Sequence, residues 1–221
     1  MPTDTIYCTD DGVVSGTNAG SYATARATST ACDDTATTGF VGQRFSTPVY
    51  TVTRLFFGFD TSSLPAGATL TGATVYFCAD TDSSTTDFDV KVYRFAWSSA
   101  LCSSQEANYD GAYGGSATLE GTLLNTSSGW TGGTYYSMAV DPAGINTSGF
   151  TRYTVVSGRD VSNTTPTTDE RVSIRMADYA GTTSDPYIEV TYTLPGQPAS
   201  VRSFGTPFMR APGQGGARLG G

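Results

Sequence analysis

Histidine is absent from this 221-residue chain. That excludes every Ser-His-Asp, Cys-His and His-metal arrangement, and it removes the side chain that most readily moves protons at neutral pH. Lysine occurs once, as Lys91, so arginine carries the remaining positive charge. Arginine holds planar, two-pronged contacts with carboxylates better than lysine does, which suits buried or interfacial pairing. Genomic base composition would produce the same bias. No apolar run approaches the ~20 residues that cross a bilayer as a helix, so no membrane partner is expected. The opening MPTDTIYCTD has neither the basic nor the apolar region of a secretory signal. No window repeats apolar residues convincingly at helical spacing.

What is present points to strands. Threonine makes up roughly one residue in six, and strand-forming residues are broken every ~8–12 residues by Gly, Pro, Asn, Asp or Ser. The clearest stretch is 54–79, RLFFGFDTSSLPAGATLTGATVYFCA. Leu55, Phe57 and Phe59 alternate onto one face, as do Ala73, Val75, Phe77 and Ala79. Between them Asp60-Thr61-Ser62-Ser63 and Pro65-Ala66-Gly67 read as turn chemistry. Alternation returns in Phe88–Phe95, where Val90 and Val92 face in, in Thr134–Val140 and in Phe150–Val156. It recurs in Arg171–Ala177, where Val172, Ile174 and Met176 oppose Ser173 and Arg175. In Tyr187–Thr193, Ile188, Val190 and Tyr192 oppose Glu189 and Thr191. Shorter strands are expected at Thr5–Thr9, Gly39–Phe45 and Pro48–Thr53. Thr17–Thr38 reads as an extended surface excursion, Trp97 as a core or rim anchor, and residues 98–118 as a long loop. The expected organisation is an irregular segment at 1–39, an all-β antiparallel sandwich at 40–195, and an extended Gly/Pro-rich arm at 196–221.

The stretches RLFFGFDTSSLPAGATLTGATVYF, VKVYRFAW, TSGFTRYTVVSGRD and DPYIEVTYT occur in that order. They resemble the DNRLRE family of domains over roughly residues 40–193. The resemblance implies a jelly-roll-like sandwich of the carbohydrate-binding-module kind, found in bacterial surface proteins and in structural proteins of tailed phages. The sequence that names the family is missing, with Arg54-Leu55 its nearest remnant, so no functional residue is carried over.

The acids offer two kinds of chemistry. Asp10-Asp11, Asp33-Asp34, Asp80/Asp82 and Asp87/Asp89 are the paired carboxylates, but glycoside hydrolysis needs two carboxyls facing each other across a cleft. Adjacency in sequence does not supply that, and no catalytic residue is expected. Calcium takes six to eight oxygens, and Asp80, Asp82 and Asp87 offer several in one connection, beside the reading of a solvated acidic loop. No other cofactor is expected. Tyr109, Tyr113 and Trp130 lie in or near polar, Gly-rich stretches and are candidates for contact with a glycan or a protein partner, beside the reading of plain packing. The cysteines Cys8, Cys32, Cys78 and Cys102 allow three pairings. Cys8–Cys32 with Cys78–Cys102 is favoured because each would close a local loop, worth about 3 kcal/mol through chain entropy; four unlinked thiols are the alternative. The sequons at Asn125, Asn146 and Asn163 are expected to be unmodified.

Charge is divided unevenly. Residues 196–221 hold Arg202, Arg210 and Arg218 and no acid, so that stretch is +3 and the rest carries −11 of the total −8. A negative body repels phosphate backbones, so nucleic acid is not an expected partner. The arm, with Phe204, Phe208, Met209 and Leu219 between its arginines, is suited to attachment to an acidic neighbour. These features lead to the expectation of a non-enzymatic virion surface protein of a tailed phage, in capsid decoration or on the tail. Its partners would be copies of itself and other virion proteins, with a host-surface glycan as a further one. The alternatives are a glycan-binding adhesin module on a phage or bacterial surface, or a subunit of an extracellular filament.

Overall fold

Residues 1–195 are described by the structure, a computed structural model. Their elements, in chain order, are β1 (Thr3–Ala19), α1 (Tyr22–Ala27), β2 (Ala31–Asp33), β3 (Thr38–Ser46), β4 (Val49–Asp60), β5 (Thr69–Asp82), β6 (Asp89–Arg94), α2 (Gln105–Gly111), β7 (Thr118–Asn125), β8 (Tyr135–Val140), β9 (Phe150–Ser157), α3 (Gly158–Val161), β10 (Asp169–Arg175) and β11 (Tyr187–Thr193). The hydrogen-bonded path runs β2-β1-β11-β5-β10-β3-β4-β9-β6-β7, with β8 on β5. Because β1 also pairs with β4, the path closes on itself. The result is an all-β antiparallel sandwich.

Two strands pass between its layers. β1 is irregular between Cys8 and Asp10. Before that point Thr3–Tyr7 pair with β11, and after it Asp10–Ala19 pair with β4. In β5, Thr69–Tyr76 pair with β11, while Ala79 and Asp82 pair with β10. A bulge bends and twists a strand locally, which lets it serve two layers. The first layer therefore holds the start of β1 with β11, β5 and β8. The second holds the rest of β1 with β2, β3, β4, β6, β7, β9 and β10.

The interior follows the sequence alternation. Leu55, Phe57 and Phe59 of β4 pack with Val75 and Phe77 of β5 and with Val90, Val155, Ile174 and Ile188. The Phe57 and Phe77 rings lie 4.8 Å apart. Burying side chains of this kind contributes about 1.5–3 kcal/mol each. The exit from β4 is the turn its sequence implies: Asp60 accepts a hydrogen bond from the Ser62 N–H at 3.1 Å, and Gly67 has φ +75°. An L side chain is rarely tolerated at that φ.

Several expectations are corrected. Residues 1–39, expected as an irregular segment packed on or joined to the sandwich, are joined to it but are not irregular, since the 17-residue β1 pairs in both layers. Thr17–Thr38 is no extended excursion: β1 continues to Ala19, Ser21 caps α1 by accepting from the Thr24 N–H, and β2 pairs with Val13–Ser15. The 98–118 loop contains α2. Strand β7 lies in a stretch whose alternation is weak, and its register on β6 shifts twice. The disulfide is Cys32–Cys102, with Cα atoms 5.3 Å apart, and Cys8 and Cys78 are buried free thiols. Strand pairing decided this. Cys32 lies on edge strand β2 against β1, while Cys78 is held inside β5.

Candidate functional site

The outer face of the second layer is covered. Helix α1 and the segment 95–117, which includes α2, lie over β1 and β4, α3 lies against β3, β6 and β9, and the Cys32–Cys102 bond ties this cover down. Val14, Val52, Phe56, Trp97, Leu101 and Tyr109 form its apolar part. At its centre is Arg54, only 1% exposed. Its Nε donates to Asp160 Oδ2 at 2.8 Å, and Nη1 donates to the Tyr109 carbonyl at 2.6 Å. Nη2 donates to the Arg26 carbonyl at 3.0 Å, and the guanidinium lies 3.7 Å from the Tyr109 ring centre. Arg26 Nε is 3.1 Å from Asp160 Oδ1, and the Tyr113 hydroxyl donates to the same oxygen at 3.3 Å. Burial is the largest single influence and works against the Arg54 charge, but the charge and hydrogen bond of Asp160, with Tyr109 and Tyr113, together raise the guanidinium above its ordinary value.

This arrangement accounts for two of the three aromatic candidates. Tyr109 is fully buried, and its hydroxyl donates to the Ala25 carbonyl at 2.8 Å. Tyr113 packs against the Arg54 and Arg26 guanidiniums. Trp130, 6% exposed, donates from its indole nitrogen to the Ser173 carbonyl at 3.1 Å and stacks on Tyr136. None of the three is an open platform. Tyr109 belongs to α2 rather than to a loop, and all three rings are packed against neighbouring groups. Trp97, by contrast, is buried as expected.

The calcium candidates are also separated in use. Asp80 accepts from Ser173 Oγ and faces Arg175, Asp82 accepts from the Ser84 N–H at 2.8 Å, and Asp87 accepts from Thr126 Oγ1 at 3.0 Å. Among the described residues no three acidic, histidine or cysteine side chains are grouped as a metal would need. Of the carboxylate pairs, Asp10, Asp11 and Asp34 converge with Asp178 on a cavity of about 400 Å³. Asn125 Oδ1 accepts from the Ser127 N–H and Asn146 Oδ1 from the Ser148 N–H. The arm residues Arg202, Phe204, Phe208, Met209, Arg210, Arg218 and Leu219 lie outside the described residues.

The outer face of the first layer has no such cover among the described residues. Register places Tyr7 opposite Tyr187, Tyr187 opposite Tyr76, and Tyr135 opposite Cys78 beside them. The Tyr76 and Tyr187 rings stack 4.4 Å apart with planes 11° from parallel. Tyr7, tilted 51° to Tyr187 at 5.7 Å, is 48% exposed. Tyr135 meets Tyr187 at 5.2 Å, and its hydroxyl donates to the Asp185 carbonyl at 2.8 Å. The next rows are Thr5-Glu189-Thr74-Ala139 and Thr3-Thr191-Gly72. Glu189 is the charged residue of these rows, and it accepts the Tyr76 hydroxyl at 2.9 Å. The face is thus aromatic and hydroxyl-rich, with little charge. Sequence reasoning missed it although parity already set Tyr187 with Glu189 and Tyr76 between two core residues. No protein-family model matches this chain, and no curated protein does.

Proposed function

We propose that this chain is a non-enzymatic structural protein on the surface of a tailed-phage particle, with the sandwich as its displayed body. The observation that carries this reading is the contrast between the outer faces: one is built over and tied down, while the other presents Tyr7, Tyr187 and Tyr76 in one row with Tyr135 beside them. Tyrosine is enriched where proteins meet, because it brings a large area and a hydroxyl at low entropic cost. The arginine-bearing segment 196–221 supports the same reading by its charge, opposite to that of the body. The likeness of residues 40–193 to DNRLRE domains is its sequence support.

Incorporation into particles tests it. Chains lacking residues 196–221, and chains carrying Tyr7→Ser with Tyr187→Ser, should fold yet be lost from purified particles. Normal incorporation of both would overturn the reading. A glycan-binding adhesin is the second reading, favoured by the exposed Tyr7 ring and the threonine hydroxyls beside it. A glycan array probed with the parent and Tyr7→Ser chains separates the two.

A further inference from the structure

At the end of β6 the fold seats a guanidinium that it does not hydrogen-bond. The Arg94 side chain is 25% exposed, and its Nε lies 3.5 Å from Glu120 Oε1. None of its nitrogens makes a hydrogen bond among the described residues, and Nη1 is enclosed without a partner. Room is nevertheless made for it, because a Cβ at Gly144 would overlap Arg94 Nη1. Gly144 is not among the glycines of positive φ, so the guanidinium, not the turn Pro142–Gly144, calls for glycine there. Arg152 of β9 lies on the same cavity. Its guanidinium sits over the Trp97 and Phe150 rings, 4.9 and 4.7 Å from their centres, and Nη2 donates to Asp10 Oδ2 at 3.0 Å. Its Nε and Nη1 make no hydrogen bond among the described residues. Contact with rings uses the faces of a guanidinium and leaves its in-plane donors for another group.

We infer that this cavity, of about 200 Å³ between the end of β6 and the start of β9, binds a small organic carboxylate through the two guanidiniums. The site is independent of the assembly proposed above. No acid lines the cavity. Its other polar side chains are engaged: Asn146 donates to the Phe150 carbonyl and accepts the Ser148 N–H, and Thr151 bonds to Thr61. The arginines are therefore the groups left to meet a ligand, and their forked, in-plane N–H groups match a planar carboxylate. Charge favours a single negative group. Glu120 and Asp10 already stand one for one against Arg94 and Arg152, so a doubly charged phosphate would enter poorly balanced. The volume is several times the ~30 Å³ share of a water molecule. That is room for a carboxyl group on a short stem, with Phe150 and Ala96 as its apolar wall.

Titration of the isotope-labelled full-length chain with sodium propionate, at ionic strength held constant with chloride, tests this through the arginine Nε–H resonances. Those of Arg94 and Arg152 should move together and saturate, while that of Arg44, on the far side of β3, stays in place. Inorganic phosphate should bind at least about tenfold more weakly. Arg94→Gln should weaken propionate binding about tenfold or more. Gly144→Ala should do the same although it removes no group that would touch the ligand, because its methyl displaces the Arg94 guanidinium. Arg152→Lys keeps the charge but loses the fork, and should weaken binding by several-fold. Circular dichroism identifies any variant that has not folded, and the parent titration decides without it. Absence of a saturable shift in the parent would overturn the site. Equal response to propionate, phosphate and chloride would overturn the carboxylate as its ligand, and parent-like affinity in folded Arg94→Gln would remove Arg94 from it.

Discussion

The two outer faces of this sandwich use the same residue type to opposite ends. Over the second layer, Tyr109 of α2 and Tyr113 just after it put their ring faces on Arg54 and their hydroxyls on Ala25 and Asp160. On the first layer, Tyr7, Tyr76 and Tyr187 lean on one another across strands, and Tyr7 remains 48% exposed. The difference lies in what sits between the rings. A buried guanidinium needs counter-charge, carbonyls and exclusion of water all at once, so the cover forms as a unit. The open row needs only register. One face thus stores stability, and the other is available for contact.

The largest effect should come from breaking the centre of the cover. Asp160→Ala leaves Arg54 buried without its counter-ion and should cost about 3–5 kcal/mol in urea unfolding. Replacing both members, Arg54→Met with Asp160→Leu, should recover much of that loss, because the desolvation cost then disappears with the charges. An equal loss in the double variant would mean that packing, not charge, dominates there. On the open face Glu189→Gln should change stability by less than about 0.5 kcal/mol, since that carboxylate is solvated. Next in size is the tie itself. Cys32→Ser with Cys102→Ser opens a loop spanning 70 residues, and should cost about 2–4 kcal/mol. Hydrogen exchange should then quicken first in α1 and α2 and leave the β11–β5 pairing protected.

How much of this was legible beforehand depends on period and distance. Alternation alone located β9 and β11 nearly to the residue and β10 within two residues at each end. β4 was harder at its start: from Val52 to Phe59 every residue is buried, since Leu55, Phe57 and Phe59 face the interior while Arg54 and Phe56 face the cover. A strand covered on both sides loses its alternation. The short helices were illegible because a helix of six or seven residues takes its stability from packing rather than from periodicity. The Cys32–Cys102 bond was missed because closeness in sequence was weighed where only strand pairing could decide. Arg54 looked like a remnant of a motif, and no local signal showed that Asp160 would meet it. For the open face, the outward parity of Tyr187 and Tyr76 was readable. The register that brings Tyr7 beside them was not.

A third test separates burial of charge from burial of surface. The Asp11 carboxyl is held up at about 7, first by burial, against an ordinary value near 4. Below about pH 4 both folded and unfolded chains carry the proton. Between there and about pH 7 only the folded chain keeps it, so Asp11 makes stability fall as pH rises through that window and flatten above it. Asp11→Asn, whose amide oxygen can still accept the Ala177 N–H, should remove this part of the slope. The variant should be more stable than the parent at pH 8 by on the order of 1–3 kcal/mol and nearly equal at pH 4.5. Parallel stability–pH curves for the two chains would place the proton elsewhere.

The smallest change in stability should accompany the sharpest contrast in function. Tyr109→Phe and Tyr7→Phe each remove one hydroxyl. In the cover the loss leaves the buried Ala25 carbonyl without its 2.8 Å donor, and should cost about 1 kcal/mol, with no change in contact with a partner. On the open face Tyr7→Phe should alter unfolding by no more than about 0.5 kcal/mol. Tyr7→Ala should do little more, since half of that ring already lies in water, yet it should weaken association with particles by removing the most exposed ring of the row. Comparing urea midpoints with particle binding for the same variants tells the two faces apart. If Tyr7→Ala destabilised the fold as Tyr109→Ala does, the row would be a second core rather than a surface, and the distinction between the two faces would fail.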